Sequence, residues 1–117
     1  MRLTKSNPSV EKGWYFGPWD TDCAISVGYA NAGVDEPHLH RTMAEIYLMA
    51  RGTAVIRVEQ QSVTLEPGDV IVVEVGEAHT FLSASPDHFH FVIQSPGLQS
   101  EAARADKVPA PRSRLGI

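Results

Sequence analysis

Cysteine is almost missing from this chain: Cys23 is the only one, so no intrachain disulfide can form. That agrees with a reducing compartment, and a cytoplasmic protein is the expectation. Cys23 itself lies away from every histidine and is expected as a buried or half-buried small hydrophobe. No run approaches the roughly 18 apolar residues of a membrane helix, and Met1 to Pro8 has no apolar segment to serve as a signal peptide. No membrane partner is therefore expected. Basic residues are outnumbered ten to fourteen by acidic ones, a net charge of −4, which argues against nucleic acid because nonspecific binding rests on a basic patch. Histidine is absent from the first 37 and the last 27 residues; all five fall at positions 38, 40, 79, 88 and 90. Scattered structural histidines would not cluster in that way.

What is present, in 117 residues, is enough for one domain that buries about two thirds of its unfolded surface. Short β-prone runs dominate, with Gly or Pro at the breaks. Ala24–Ala30 alternates, with Ile25, Val27 and Tyr29 on one face. Ala44–Ala50 and Thr53–Val58 read as a hairpin across Arg51-Gly52. Gln60-Gln61 marks the next turn, Ser62–Leu65 a short strand, and Glu66-Pro67-Gly68-Asp69 a type II turn. Val70–Val75 is apolar enough to predict burial on both faces. His79–Ser83 and His88–Ser95 complete eight or nine strands, the pattern of an all-β sandwich or barrel. Ser100 followed by Glu101–Ala105 predicts a short helix ended by Pro109, and Pro109–Arg114 an extended tail. Near the N-terminus, Gly13–Trp19 packs four of the nine aromatic residues into seven positions. These rings either seal the open end or outer face of the barrel or form a dimer contact.

The chemistry concentrates between Pro37 and Gly52. His38 and His40 are two apart, so on a strand both imidazoles project to one face. After a bend Glu45 begins a second strand, with Tyr47 and Met49 on its face. Two imidazoles and a carboxylate suit a divalent transition ion. A further histidine, His79, arrives at a strand start after the turn-strand-turn segment Pro67–Ala78.

Together these two segments resemble the cupin family. The family's first motif, Gly, five residues, His-x-His, three or four residues, Glu, six residues, Gly, is matched by His38, His40, Glu45 and Gly52. The leading glycine is displaced, since Gly33 leaves four residues before His38. In the second motif Gly68, Gly76 and His79 match, while Glu74 stands at the proline position and Ser83 at the asparagine position. The resemblance covers residues 24–95. It implies a single-domain cupin jelly-roll β-barrel over 24–97, an N-terminal arm over 1–23 and a C-terminal tail or short helix over 98–117. It also implies metal ligation by His38, His40, Glu45 and His79, with iron, manganese, nickel or zinc as the candidate ion.

Cupins include dioxygenases, isomerases, epimerases, decarboxylases, storage proteins and sugar-binding sensors, and fold does not fix function. The expectation is an enzyme of dioxygenase or isomerase/lyase type acting on a small, polar, oxygen-rich metabolite. The alternative is a non-catalytic binder of a sugar or small acid. Tyr47 shares Glu45's face and is a candidate for a substrate hydrogen bond, unless its hydroxyl is spent on a backbone carbonyl. His88 and His90 share a strand face and either line the pocket as catalytic groups or lie on the surface. Arg57 anchors an anionic substrate only if it points inward; a solvated position is the simpler reading. Open sheet edges and the aromatic arm predict a homodimer.

Overall fold

Alternation is clearest in the eight residues Ala44–Arg51, where Glu45, Tyr47 and Met49 are buried and the residues between them are not. A strand with that pattern presents one face to a core. In the computed structural model, which describes residues 1–117, it is β4 of ten strands. The others are β1 Lys12–Phe16, β2 Ser26–Ala30, β3 His38–His40, β5 Ala54–Val58, β6 Gln61–Leu65, β7 Val70–Val73, β8 His79–Ala84, β9 Phe89–Ser95 and β10 Lys107–Pro109. One helix, α1 Ser100–Asp106, precedes β10, and a 3-10 turn over Arg112–Leu115 follows it.

The strands form two five-stranded antiparallel sheets that face one another, in the orders β1-β2-β9-β4-β7 and β10-β3-β8-β5-β6. The all-β barrel is as expected. Between the sheets lies a core of Tyr47, Met49, Ala54, Ile56, Leu65, Val73 and Phe81.

Four local expectations are corrected. β4 and β5 do not form a hairpin: β4 pairs with β7 and β9, while β5 pairs with β6 and β8. The chain crosses from one sheet to the other at Gly52, whose φ of 75° and packing against Ser85 and Asp87 leave no room for a Cβ. Second, β7 is an edge strand, so only Val73 is buried while Val70 and Val72 are 58% and 49% exposed. β-branched content signalled a strand, but not its place in the sheet. Third, Cys23 is exposed, because it lies in the loop between β1 and β2. Fourth, the tail is not extended throughout: Arg112–Leu115 form a 3-10 turn, and Lys107–Pro109 before it pairs with His40–His38 as a sheet edge. The Glu66–Asp69 turn is as expected, with Gly68 at φ 94° and Asp69 N–H donating to Glu66 O at 3.0 Å.

The N-terminal segment also contributes to a sheet. Residues 12–16 pair with β2, and strand alternation divides the aromatic cluster. Tyr15 lies against Tyr29 and Phe91 on the outer face, at 4.8 and 6.0 Å between centroids. Trp14 packs over Gly28 on the other face, where a side chain at 28 would collide with it, and stands edge-on to Trp19 at 5.7 Å.

Candidate metal centre

β3 delivers His38 and His40, β4 delivers Glu45 and Tyr47, and the first residue of β8 is His79, paired directly with His38. Their polar atoms meet at one carboxylate oxygen. Glu45 Oε1 lies 3.0 Å from His40 Nε2, 3.0 Å from His79 Nε2 and 3.7 Å from His38 Nε2. The Tyr47 hydroxyl lies 3.1 Å from the same oxygen and 3.2 Å from His79 Nε2. Gln94 Nε2 donates to Glu45 Oε2 at 3.1 Å.

The opposite nitrogen of each ring decides the chemistry. His38 Nδ1 lies 2.6 Å from the carbonyl of Glu36, and His79 Nδ1 3.0 Å from the carbonyl of Glu77. A carbonyl can only accept, so both rings carry a proton on Nδ1. His40 Nδ1 lies 3.2 Å from Asp106 Oδ2, a carboxylate, and carries its proton there as well. When the rings are neutral, all three Nε2 atoms are bare lone pairs aimed at an anionic oxygen. Only cations relieve such a cluster: protons or a metal. Ligand atoms each about 2.1 Å from one ion lie about 3.0–3.4 Å apart; the 3.0 Å separations of His40 and His79 from Glu45 Oε1 match, that of His38 at 3.7 Å is wider, and His38, Glu45 and His79 form a group that could hold an ion.

The fit is uneven. The donor atoms of His38, Glu45 and His79 all lie within 4.8 Å of one another. His40 touches Glu45 but stands off from the other rings, with centroids 6.2 Å apart for His40–His79 against 4.4 Å for His38–His79. His40 therefore lies beside the group formed by His38, Glu45 and His79, in contact with Glu45 at 3.0 Å.

The charges follow the geometry. Burial works against ionising Glu45, but Nε2–H hydrogen bonds from His38, His40 and His79, available once those rings carry a second proton, outweigh it and hold the carboxyl well below its usual range. Burial likewise disfavours charged His40, yet Glu45 and Asp106 together raise it above an ordinary histidine. Tyr47 is pushed well above 10, first by burial and then by the Glu45 charge, so it keeps its proton.

The other sequence candidates sort clearly. His88 and His90 are not on the surface; they are 1% and 5% exposed and lie inside the barrel. His90 stacks on Phe81 at 5.1 Å and meets Tyr47 edge-on at 5.2 Å, and His88 Nε2 lies 2.6 Å from His90 Nδ1. Tyr47's hydroxyl finds Glu45 rather than a backbone carbonyl. Arg57 faces away from the site, donating to Leu115 O at 2.8 Å and Ser62 Oγ at 3.0 Å, and so secures the tail.

Two contributors were missed. Gln94 continues the period-two face of His88, His90 and Val92 and was legible there. Asp106, 4% exposed at the end of α1, carried no local signal, because its partner His40 lies 66 positions away.

Two facing antiparallel sheets closed around a buried histidine–carboxylate cluster define a small double-stranded β-barrel with a polar interior site. The cupin domain family matches residues 26–94, and the chain belongs to it. Solved structures share the fold. A Streptomyces PAC13 variant with uridine superposes with a TM-score of 0.67 at 16% identity, covering 86% of this chain and 77% of that one; PAC13 is described as a nucleoside dehydratase. KdgF from Halomonas sp. gives 0.65 at 18% identity over 86% and 92% of the two chains. A protein from Planctomyces limnophilus gives 0.66 at 24% identity over 92% and 96%. No curated protein matches the sequence.

Proposed function

We propose that this cupin binds a divalent transition ion through His38, His40, Glu45 and His79 and acts on a small, polar, oxygen-rich metabolite. The observation that carries this reading is the convergence of three Nδ1-protonated imidazoles on Glu45 Oε1, which leaves lone pairs facing an anion. Bound there, the ion would supply Lewis-acid polarisation of a substrate oxygen. The chain's own groups complement that. Tyr47 stays protonated and gives its one hydrogen to Glu45 Oε1, fixing that carboxylate, and burial first, with the neighbouring His88 second, keeps His90 neutral by lowering its pKa to about 4. A neutral donor such as His90 beside a cation favours isomerase or lyase chemistry on a carbonyl or carboxylate. Dioxygenase chemistry with ferrous iron and non-catalytic binding of a sugar or small acid are the rivals.

Metal analysis of freshly purified protein for iron, manganese, nickel and zinc is the first test. Turnover and oxygen consumption with diketones, catechols, uronates and uridine is the second. Stoichiometric metal with turnover and no oxygen uptake is expected. Oxygen uptake would select the dioxygenase, binding without turnover the sensor, and protein that neither retains nor takes up metal would overturn the site.

A homodimer belongs to the same reading. The outer face of the first sheet carries apolar rows in register, Val72-Ile46-Ile93 and Val70-Leu48-Phe91 across β7, β4 and β9, and Val70 and Val72 at its edge are exposed. A second copy would cover it. The lone exposed thiol and missing disulfide support a cytoplasmic setting, and no helix is long and apolar enough to cross a membrane.

A further inference from the structure

His88 and His90 form a pair separate from the Glu45 cluster. Their contact, His88 Nε2 to His90 Nδ1 at 2.6 Å, needs one proton between two nitrogens, and the ring that supplies it fixes the tautomer of the other. The far nitrogens differ. His88 Nδ1 is sealed from solvent with no partner, whereas His90 Nε2, also without a protein partner, is not among the sealed atoms. If His90 donated through Nδ1, His88 would hold its proton on Nδ1 and bury an N–H with no acceptor. An unmade buried donor forfeits its full desolvation penalty, and orphaned acceptors are tolerated more readily than orphaned donors. His88 Nε2–H is therefore the donor, and His90 must carry its own proton on Nε2.

The orientation of His90 is held from both sides. Its ring lies nearly parallel to Phe81, with 13° between planes, and nearly perpendicular to Tyr47, at 84°. Strand register places it between Ala30 of β2 and Met49 of β4, on the inner face. Burial keeps both rings neutral at ordinary pH.

We propose that the two histidines hold separate roles in one pair: His88, out of reach of any ligand, sets the tautomer of His90, and His90 offers an Nε2–H donor to an acceptor oxygen of a small carboxylate or carbonyl ligand in the barrel. This rests on the barrel interior being the ligand site. His90 is then a ligand-binding residue and His88 a positioning residue. A neutral N–H donor selects acceptor oxygens and disfavours ammonium or guanidinium groups, which have only donors to offer.

Long-range proton–nitrogen NMR of the imidazoles tests it, on nitrogen-15 protein both zinc-loaded and metal-free. Wild type should show Nε2–H on both rings. His88→Phe should move His90 toward a tautomer mixture, and His88→Gln, which keeps an N–H at that end, should restore it. Formate, a minimal carboxylate, should shift the His90 Nε2–H proton of the zinc-loaded protein downfield. Nδ1–H on His90 in wild type would overturn the proposal, as would an unchanged His90 in His88→Phe. Formate leaving His90 unmoved would overturn the ligand contact. Failure to bind zinc would instead strike the metal reading, since the tautomers are read in metal-free protein as well.

Discussion

Asp106 holds His40 from behind: Oδ2 accepts from Nδ1 at 3.2 Å while Nε2 of the same ring faces Glu45 at 3.0 Å. The two residues are 66 positions apart, and β10, pairing with β3 immediately after Asp106, brings them together. Asp106 Oδ2 also lies 3.4 Å from the backbone N–H of Met43, so one carboxylate orients the ring and fastens the bend after β3.

Asp106→Asn should therefore weaken zinc binding by about 10–100-fold, the usual cost of losing an outer partner of a metal-bound histidine. Competition against a chelator measures it. A change of less than about twofold would show that Asp106 serves the fold alone.

Single changes at the cluster should act unequally. His40→Ala, Glu45→Gln and His79→Ala should each lower metal content, and His88→Ala and His90→Ala should leave it largely intact. Glu45→Gln keeps the side-chain shape but removes the charge that offsets a dication. In the metal-loaded protein the cluster variants should also melt lower, since ligand at a hundred times its dissociation constant contributes about 2.7 kcal/mol. The metal-dependent part of that gap should close in chelator. Loss of metal in His90→Ala with none in His79→Ala would refute the ligand set.

Acid should act on the metal-free protein through His90. Its folded pKa of about 4 lies below the ordinary 6.5, so between these values the unfolded chain binds the extra proton and stability falls as pH drops. The full swing is about 3 kcal/mol. Glu45, held low, acts in the same direction at lower pH. His40 acts oppositely: raised, it contributes below pH 6.5 and loses that contribution as pH rises through its folded pKa. Denaturant titrations from pH 4 to 8 in chelator should peak near neutrality, and His90→Gln should flatten the acid limb. An acid limb unchanged in His90→Gln would remove His90 as its cause.

Metal should leave in mild acid, because three imidazoles must be neutral to bind. Dialysis at pH 4.5 with chelator should strip it. Full retention would argue against a histidine site.

Light scattering at micromolar concentration should give a dimer mass, and Val70→Lys with Val72→Lys should give a monomer of unchanged fold by circular dichroism. A wild-type monomer would refute self-association. A dimer that survives both changes would move the interface elsewhere, with Trp14 and Trp19 next to be replaced.

Much of the site was legible because strand geometry is local. His-x-His must place two rings on one face, and Glu45 and Tyr47 must share another. What failed was partnering between segments. Ala44–Ala50 and Thr53–Val58 looked like a hairpin because a glycine at a break is compatible both with a tight turn and with a crossing between sheets. Val70–Val75 looked doubly buried because apolar β-branched residues suit a central strand and an apolar outer face alike.

The sequence by itself determined the strand-rich barrel, the family and the grouping of His38, Glu45 and His79, since these depend on alternation and spacing along short segments. Tertiary structure alone decided that His88 and His90 lie inside, that Gln94 and Asp106 complete the surroundings, and that Arg57 ties down the tail. Those facts depend on which strand lies beside which and on which face meets the opposing sheet. Contacts between residues dozens of positions apart leave no periodicity in a single sequence.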